Sequence, residues 1–155
     1  MKPTTYNLKK LTVLGCLILL YSCSTSKYQL QSEAPISYSH AYSQDWTTDI
    51  KIGSSGTNIF LANLTPNKVQ IDSVYYRKLK GKLIEGKGYY YAQLFKMLPN
   101  SEENKLTTTK HFPFQISNND CVISYIENGN TKYFKILNVK EKVGIHYPND
   151  IPNKL

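Results

Sequence analysis

Arginine is nearly absent from this sequence, occurring once, and cysteine occurs only three times. Three cysteines exclude a multi-bridge disulfide framework and a four-cysteine zinc site. The formal charge of +8 and pI near 9.3 invite a nucleic-acid reading. However, arginine is the better residue for bidentate phosphate recognition, and the basic residues here are almost all lysine. No apolar run reaches the roughly 20 residues that a membrane-spanning helix needs. The three histidines, His40, His111 and His146, show no His-x-His or His-x₃-His spacing, so a metal site with Asp45, Asp49 or Asp150 has little support. Neither a Gly-x-Ser-x-Gly elbow nor a phosphate loop is present. We find no repeat, no heptad pattern and no amphipathic helix. A length of 155 residues allows one domain with a tail.

What is present begins at the N-terminus. Residues 1–22 hold Lys2, Lys9 and Lys10 and no acid, and Leu11 to Leu20 is an uncharged, largely apolar run. A basic stretch followed by a short apolar run is the pattern of a secretory signal. Leu20-Tyr21-Ser22-Cys23 then resembles the lipobox of bacterial lipoproteins, although Tyr21 departs from the usual small or aliphatic residue. The resemblance implies cleavage before Cys23, acylation of its thiol and a membrane anchor. Val13-Leu14-Gly15-Cys16 is a rival match, but cutting there would strand Leu17 to Leu20 on the mature chain. The same resemblance implies outer-membrane sorting, because Ser24 and not Asp follows the cysteine, and a periplasm-facing domain, because no acidic cluster follows. An ordinary signal peptide on a secreted soluble protein is the alternative. Without residues 1–22 the chain keeps 133 residues, 16 basic and 11 acidic, and its charge falls to +5.

Residues 23–35 are mostly polar and read as the lipidated cysteine and a flexible tether, followed by an all-β domain over 36–155. Segments 57–64, 69–77, 80–85 and 89–96 are β-branched or aromatic and bounded by turn residues, which predicts an antiparallel β-sandwich or barrel-like domain. Gly53-Ser54-Ser55-Gly56 reads as a strand-bounding turn, and residues 99–110 as a polar loop. The strongest local signal is Asn128-Gly129 between 121–127 and 130–137, since both residues tolerate the positive φ of a type I′ hairpin turn. That turn sets Glu127 opposite Asn130, Tyr125 opposite Lys132, Ile123 opposite Phe134 and Cys121 opposite Ile136. One face then carries Cys121, Ile123, Tyr125, Phe134 and Ile136, and the other carries Val122, Ser124, Thr131, Tyr133 and Lys135. Segments 71–77, 119–127 and 131–136 resemble parts of small uncharacterised lipoproteins of Flavobacteria and other Bacteroidetes. The resemblance implies an envelope location and not a mechanism.

The candidate chemistry is sparse. Cys121 has His111 and Asp120 nearby in sequence, but the hairpin register puts it on an apolar strand face, where a thiol packs as a small hydrophobe. The densest basic stretch is Arg77, Lys78, Lys80 and Lys82, with Lys87 beyond. If it is extended, Lys78, Lys80 and Lys82 share a face that could meet an anionic glycan, a lipid headgroup or a protein partner; otherwise it is a solvated strand face. Tyr89-Tyr90-Tyr91 alternates, so at least one ring should be exposed, and Tyr90 joins the basic residues as a possible binding patch. Tyr125 with Tyr133 is a second possible stacking surface, and Trp46 reads as an anchor sealing the first strand onto the core. The sequence therefore leads us to expect a lipid-anchored envelope module that binds or scaffolds something. On this reading it is non-enzymatic, with no cofactor and no metal, and with an envelope protein or glycan as partner and not nucleic acid. A small lipid-anchored enzyme acting on envelope polymers is the runner-up.

Overall fold

A computed structural model describes residues 27–49, 55–97 and 112–149. Cys16, Cys23, Gly53, His111, Asp150 and the loop over 99–110 lie outside the described residues. Twelve strands form among the described residues. They are β1 (Leu30–Gln31), β2 (Ile36–Ser37), β3 (His40–Thr48), β4 (Ser55–Ala62), β5 (Thr65–Pro66) and β6 (Gln70–Tyr76), then β7 (Leu79–Lys82), β8 (Ile84–Gly86), β9 (Tyr89–Met97), β10 (Cys121–Glu127), β11 (Asn130–Ile136) and β12 (Lys140–Tyr147). Two five-stranded sheets result, with orders β1-β11-β10-β6-β7 and β12-β3-β4-β9-β8. We call them the first and second sheets. A two-stranded ribbon, β2-β5, completes the fold.

The all-β sandwich expected from strand spacing is what forms. Its main core lies between the sheets. The second sheet contributes Ala41, Ile59, Leu61, Ala92 and Leu94, and the first contributes Val74, Tyr76, Cys121, Ile123, Tyr125 and Ile136. The β10–β11 register matches the expectation from Asn128-Gly129 at every predicted pair. Both turn residues have positive φ, 50° and 77°. Most pairings are antiparallel, but β1 joins β11 and β12 joins β3 in parallel. Both of these strands sit on sheet edges, and each is far in sequence from the strand it pairs with.

Three expectations need correction. Ser55 and Gly56 are not in a turn but open β4, where Gly56 is buried beneath Trp46 and pairs with it in register. The segment 80–85 is two strands: β7 closes the first sheet, the chain crosses at Leu83, and β8 begins the second sheet. The boundary at residue 36 is too late. Leu30 pairs beside Tyr133, Tyr28 packs on Phe114 and Tyr133, and Ala34 rests against the core. Residues 27–35 thus belong to the folded domain and do not form a free tether.

Candidate functional surface

The basic patch is dispersed. Arg77 and Lys78 are not extended; they are the two turn residues of a β6–β7 hairpin, with φ of 47° and 69°, closed by Tyr76 opposite Leu79. A type I′ turn without Asn or Gly leaves no sequence signature, so the assumption of a continuous strand failed there. The Arg77 side chain turns back onto the protein. Its guanidinium lies 4.9 Å from the Tyr76 ring centroid, donates to the Asn118 carbonyl at 3.2 Å and pairs with Glu141 at 2.8 Å. The Glu141 bond raises the Arg77 pKa and lowers that of Glu141. Lys80 and Lys82 do share a face of β7. Lys80 sits 5.3 Å from the Tyr75 ring centroid, and Lys82 pairs with Asp72 at 3.2 Å. Lys87 lies in the β8–β9 turn of the other sheet, and Tyr90 packs against the main core beside Glu85.

The outward face of the first sheet is aromatic. Tyr75, Val122 and Tyr133 project there, opposite to their inward neighbours, and are covered by Phe114 and flanked by Tyr28, Leu30, Phe112 and Ile116. Their rings meet edge-on or tilted, for example Tyr75 with Phe114 at 5.0 Å and Phe114 with Tyr133 at 5.3 Å. Burial raises the Tyr75 and Tyr133 pKa values. Tyr133 therefore packs in this outer cluster while Tyr125 packs in the main core, so the pair forms no common stacking surface. The hairpin register placed these two rings on opposite faces. The second layer over Tyr133 was not legible, because it comes from chain segments distant in sequence.

Beside this cluster, β6 carries a bulge. Ser124 pairs with Ser73 and Tyr125 with Ile71, which leaves Asp72 as the extra residue. Its carboxylate accepts from Ser124 at 2.9 Å, Ser73 at 3.0 Å and Lys82. Burial alone would raise the Asp72 pKa, but these three donors outweigh it and hold the carboxyl below its ordinary value. Asp45 is held low in the same manner: burial opposes, and Lys96 and Thr57 prevail.

The outward face of the second sheet carries both Tyr89 and Tyr91, as the alternation predicted, and Tyr91 lies in a row running Lys140, Tyr42, Phe60, Tyr91 and Ile84 across all five strands. Tyr42 and Phe60 stack at 4.7 Å with 14° between planes, and Lys142 caps Tyr42 at 3.7 Å. The ring faces are turned to one another and to the lysine, so this row packs as a cross-strand ladder and offers mainly edges to a sugar. In the next row Asn58 Oδ1 and Gln93 Nε2, on paired residues, are buried with no hydrogen-bond partner among the described residues. Trp46 was expected to seal the first strand onto the core; it is buried, 1% exposed and edge-on to Phe95, but on this outward face and not in the main core.

Trp46 Nε1 and Thr48 Oγ1 are likewise buried with no hydrogen-bond partner among the described residues. His146 bridges Thr47 at 3.0 Å and Asp49 at 3.2 Å, tying β12 to β3 at the rim of an open hollow of about 240 Å³. The sequence had named His146 and Asp49 together; β-pairing over 97 residues brings them into contact. His40 bonds Ser39. Among the described residues no group of three His, Cys, Asp or Glu side chains could hold a metal ion. Cys121 is fully buried, and burial pushes its thiol up to about 12. Among the described residues no helix is long and apolar enough to cross a membrane. The sequence matches no protein-family model and no curated protein, and the fold matches no solved structure.

Proposed function

We propose that this chain is a lipid-anchored β-sandwich of the bacterial cell envelope, acylated at Cys23, that serves as a non-enzymatic binding or scaffolding module. The observation that carries this reading is the placement of Leu20-Tyr21-Ser22-Cys23 at the end of a short apolar run and five residues before Tyr28, which is already packed on the domain. A cysteine that ends an export signal and adjoins a folded domain is suited to anchoring. The non-enzymatic part is supported by the fate of the candidate nucleophile. A thiol needs its thiolate form to attack, and Cys121 is held neutral in an apolar core. The mature charge of +5 is spread over lysines, several of them paired with acids, which fits a solvated surface better than a nucleic-acid groove. Growth with labelled fatty acid tests the anchor. Label should enter the wild-type chain and be lost from Cys23→Ala; label retained in that variant would move the anchor to Cys16, and no label in the wild type would remove it.

A further inference from the structure

We propose that the aromatic outer face of the first sheet is the side of the domain that rests on the bilayer, with Lys27, Lys80, Lys82 and Lys135 meeting the phosphates of anionic lipid headgroups. The inference rests on the Cys23 anchor. It starts from the first packed ring among the described residues. Tyr28 is packed on Phe114 and Tyr133, at ring separations of 5.8 and 5.4 Å, and is therefore fixed on that face. Five residue steps separate Cys23 from Tyr28. Fully extended, they span at most about 17 Å. The second sheet lies about 10 Å behind the first, with its own outward side chains beyond that. So short a connection holds the Tyr28 side near the membrane and the Tyr42 ladder away from it.

Charge agrees with this placement. Lys80 and Lys82 edge the face along β7, Lys135 edges it on β11, and Lys27 precedes Tyr28. The acids among them are recessed: the Asp120 side chain is 13% exposed and that of Asp72 29%, against 70% for Lys82. Lys82 pairs with Asp72 at 3.2 Å and Lys135 lies 3.8 Å from Asp120, but in each pair the lysine side chain is the more exposed partner. Each lysine held near an anionic surface adds attraction that fades beyond a Debye length, and a short anchor keeps them within that range.

The test uses the acylated full-length protein, reconstituted into vesicles whose headgroups carry a nitroxide quencher. A fluorophore is attached through Gln115→Cys, in the layer covering the proposed face, or His40→Cys, on the outward face of the second sheet. Cys121 is buried and Cys23 is acylated, so the introduced thiol takes the label. With vesicles containing phosphatidylglycerol we expect quenching at 115 to exceed that at 40 several-fold. The contrast should shrink in Lys80→Gln/Lys82→Gln and on vesicles of phosphatidylcholine alone. Equal quenching at the two sites overturns the orientation, and a contrast insensitive to both changes overturns the role of the lysines. The mass of the purified protein separates the two readings. Absence of acyl mass at Cys23 defeats the anchor itself, whereas acylated protein with equal quenching defeats only the orientation.

Discussion

Gly56 and Gly81 both lie on strands, yet a methyl group added to each meets different neighbours. At Gly56 it would collide with the Leu94 carbonyl oxygen and the Trp46 indole, neither of which can retreat easily. At Gly81 the obstacle is the end of the flexible Leu94 side chain. Overpacking against rigid atoms costs typically 1–3 kcal/mol, so Gly56→Ala should destabilise by about 3 kcal/mol and Gly81→Ala by about 1 kcal/mol. Trp46, the single tryptophan, reports directly on this site, and its fluorescence in a urea titration gives both values. Lys78 holds a left-handed φ of 69° without the help of Asn or Gly. Because that conformation is unfavourable for most L-residues and tolerated better by Asn, Lys78→Asn should raise stability by about 0.5 kcal/mol in the same titration. Cys121 belongs at this scale too. With a thiol pushed up to about 12 and no exposed surface, it should resist Ellman's reagent at neutral pH until denaturant is added.

At the scale of elements, the β6 bulge sets how the fold responds to acid. The native structure lowers the Asp72 carboxyl below its ordinary 3.8, so folding favours the ionised form. A group of this kind stabilises fully above its unfolded pKa, and that stabilisation is lost as pH falls through the lower, folded value. Asp45 acts in the same direction. The melting temperature should therefore be nearly flat between about pH 7 and pH 5 and drop below about pH 4. Asp72→Asn should melt lower than wild type at pH 7 and show a shallower acid decline; an unchanged decline would show that the bulge carboxylate does not contribute. The β10–β11 hairpin is the contrasting element. Its Asn128-Gly129 turn was legible because two adjacent residues suffice to specify it. The Arg77-Lys78 turn was not legible, because its support comes from Asn118, Glu141 and the Tyr76 ring, distant in sequence or turned inward.

For the whole molecule, the N-terminal segment is part of the fold's second apolar layer. Tyr28 and Leu30 help cover Tyr133 on the outward face of the first sheet. Tyr28→Ala should lower stability by about 1–2 kcal/mol, as expected for removing a half-buried ring. A tether residue would give no effect, so thermal unfolding of this variant decides where the domain begins. The same placement fixes how far an acylated Cys23 could lie from the sandwich. A polar composition over 24–35 suggested a long leash, but polar residues also form edge strands, and composition does not separate the two.

Local rules were enough for part of this protein. The basic-then-apolar N-terminus, the strand-rich class, the β10–β11 register and the apolar setting of Cys121 each depend on residues close together in the chain. Alternation and turn chemistry act over a few residues, so one sequence reveals them. Tertiary structure alone decided the rest: the parallel edge strands, the crossing at Leu83, the second aromatic layer over Tyr75 and Tyr133, and the pairing of Arg77 and Lys82 with acids. These depend on which distant segments meet, and that follows from burying both faces of a sheet at once, a condition that no short window of sequence contains.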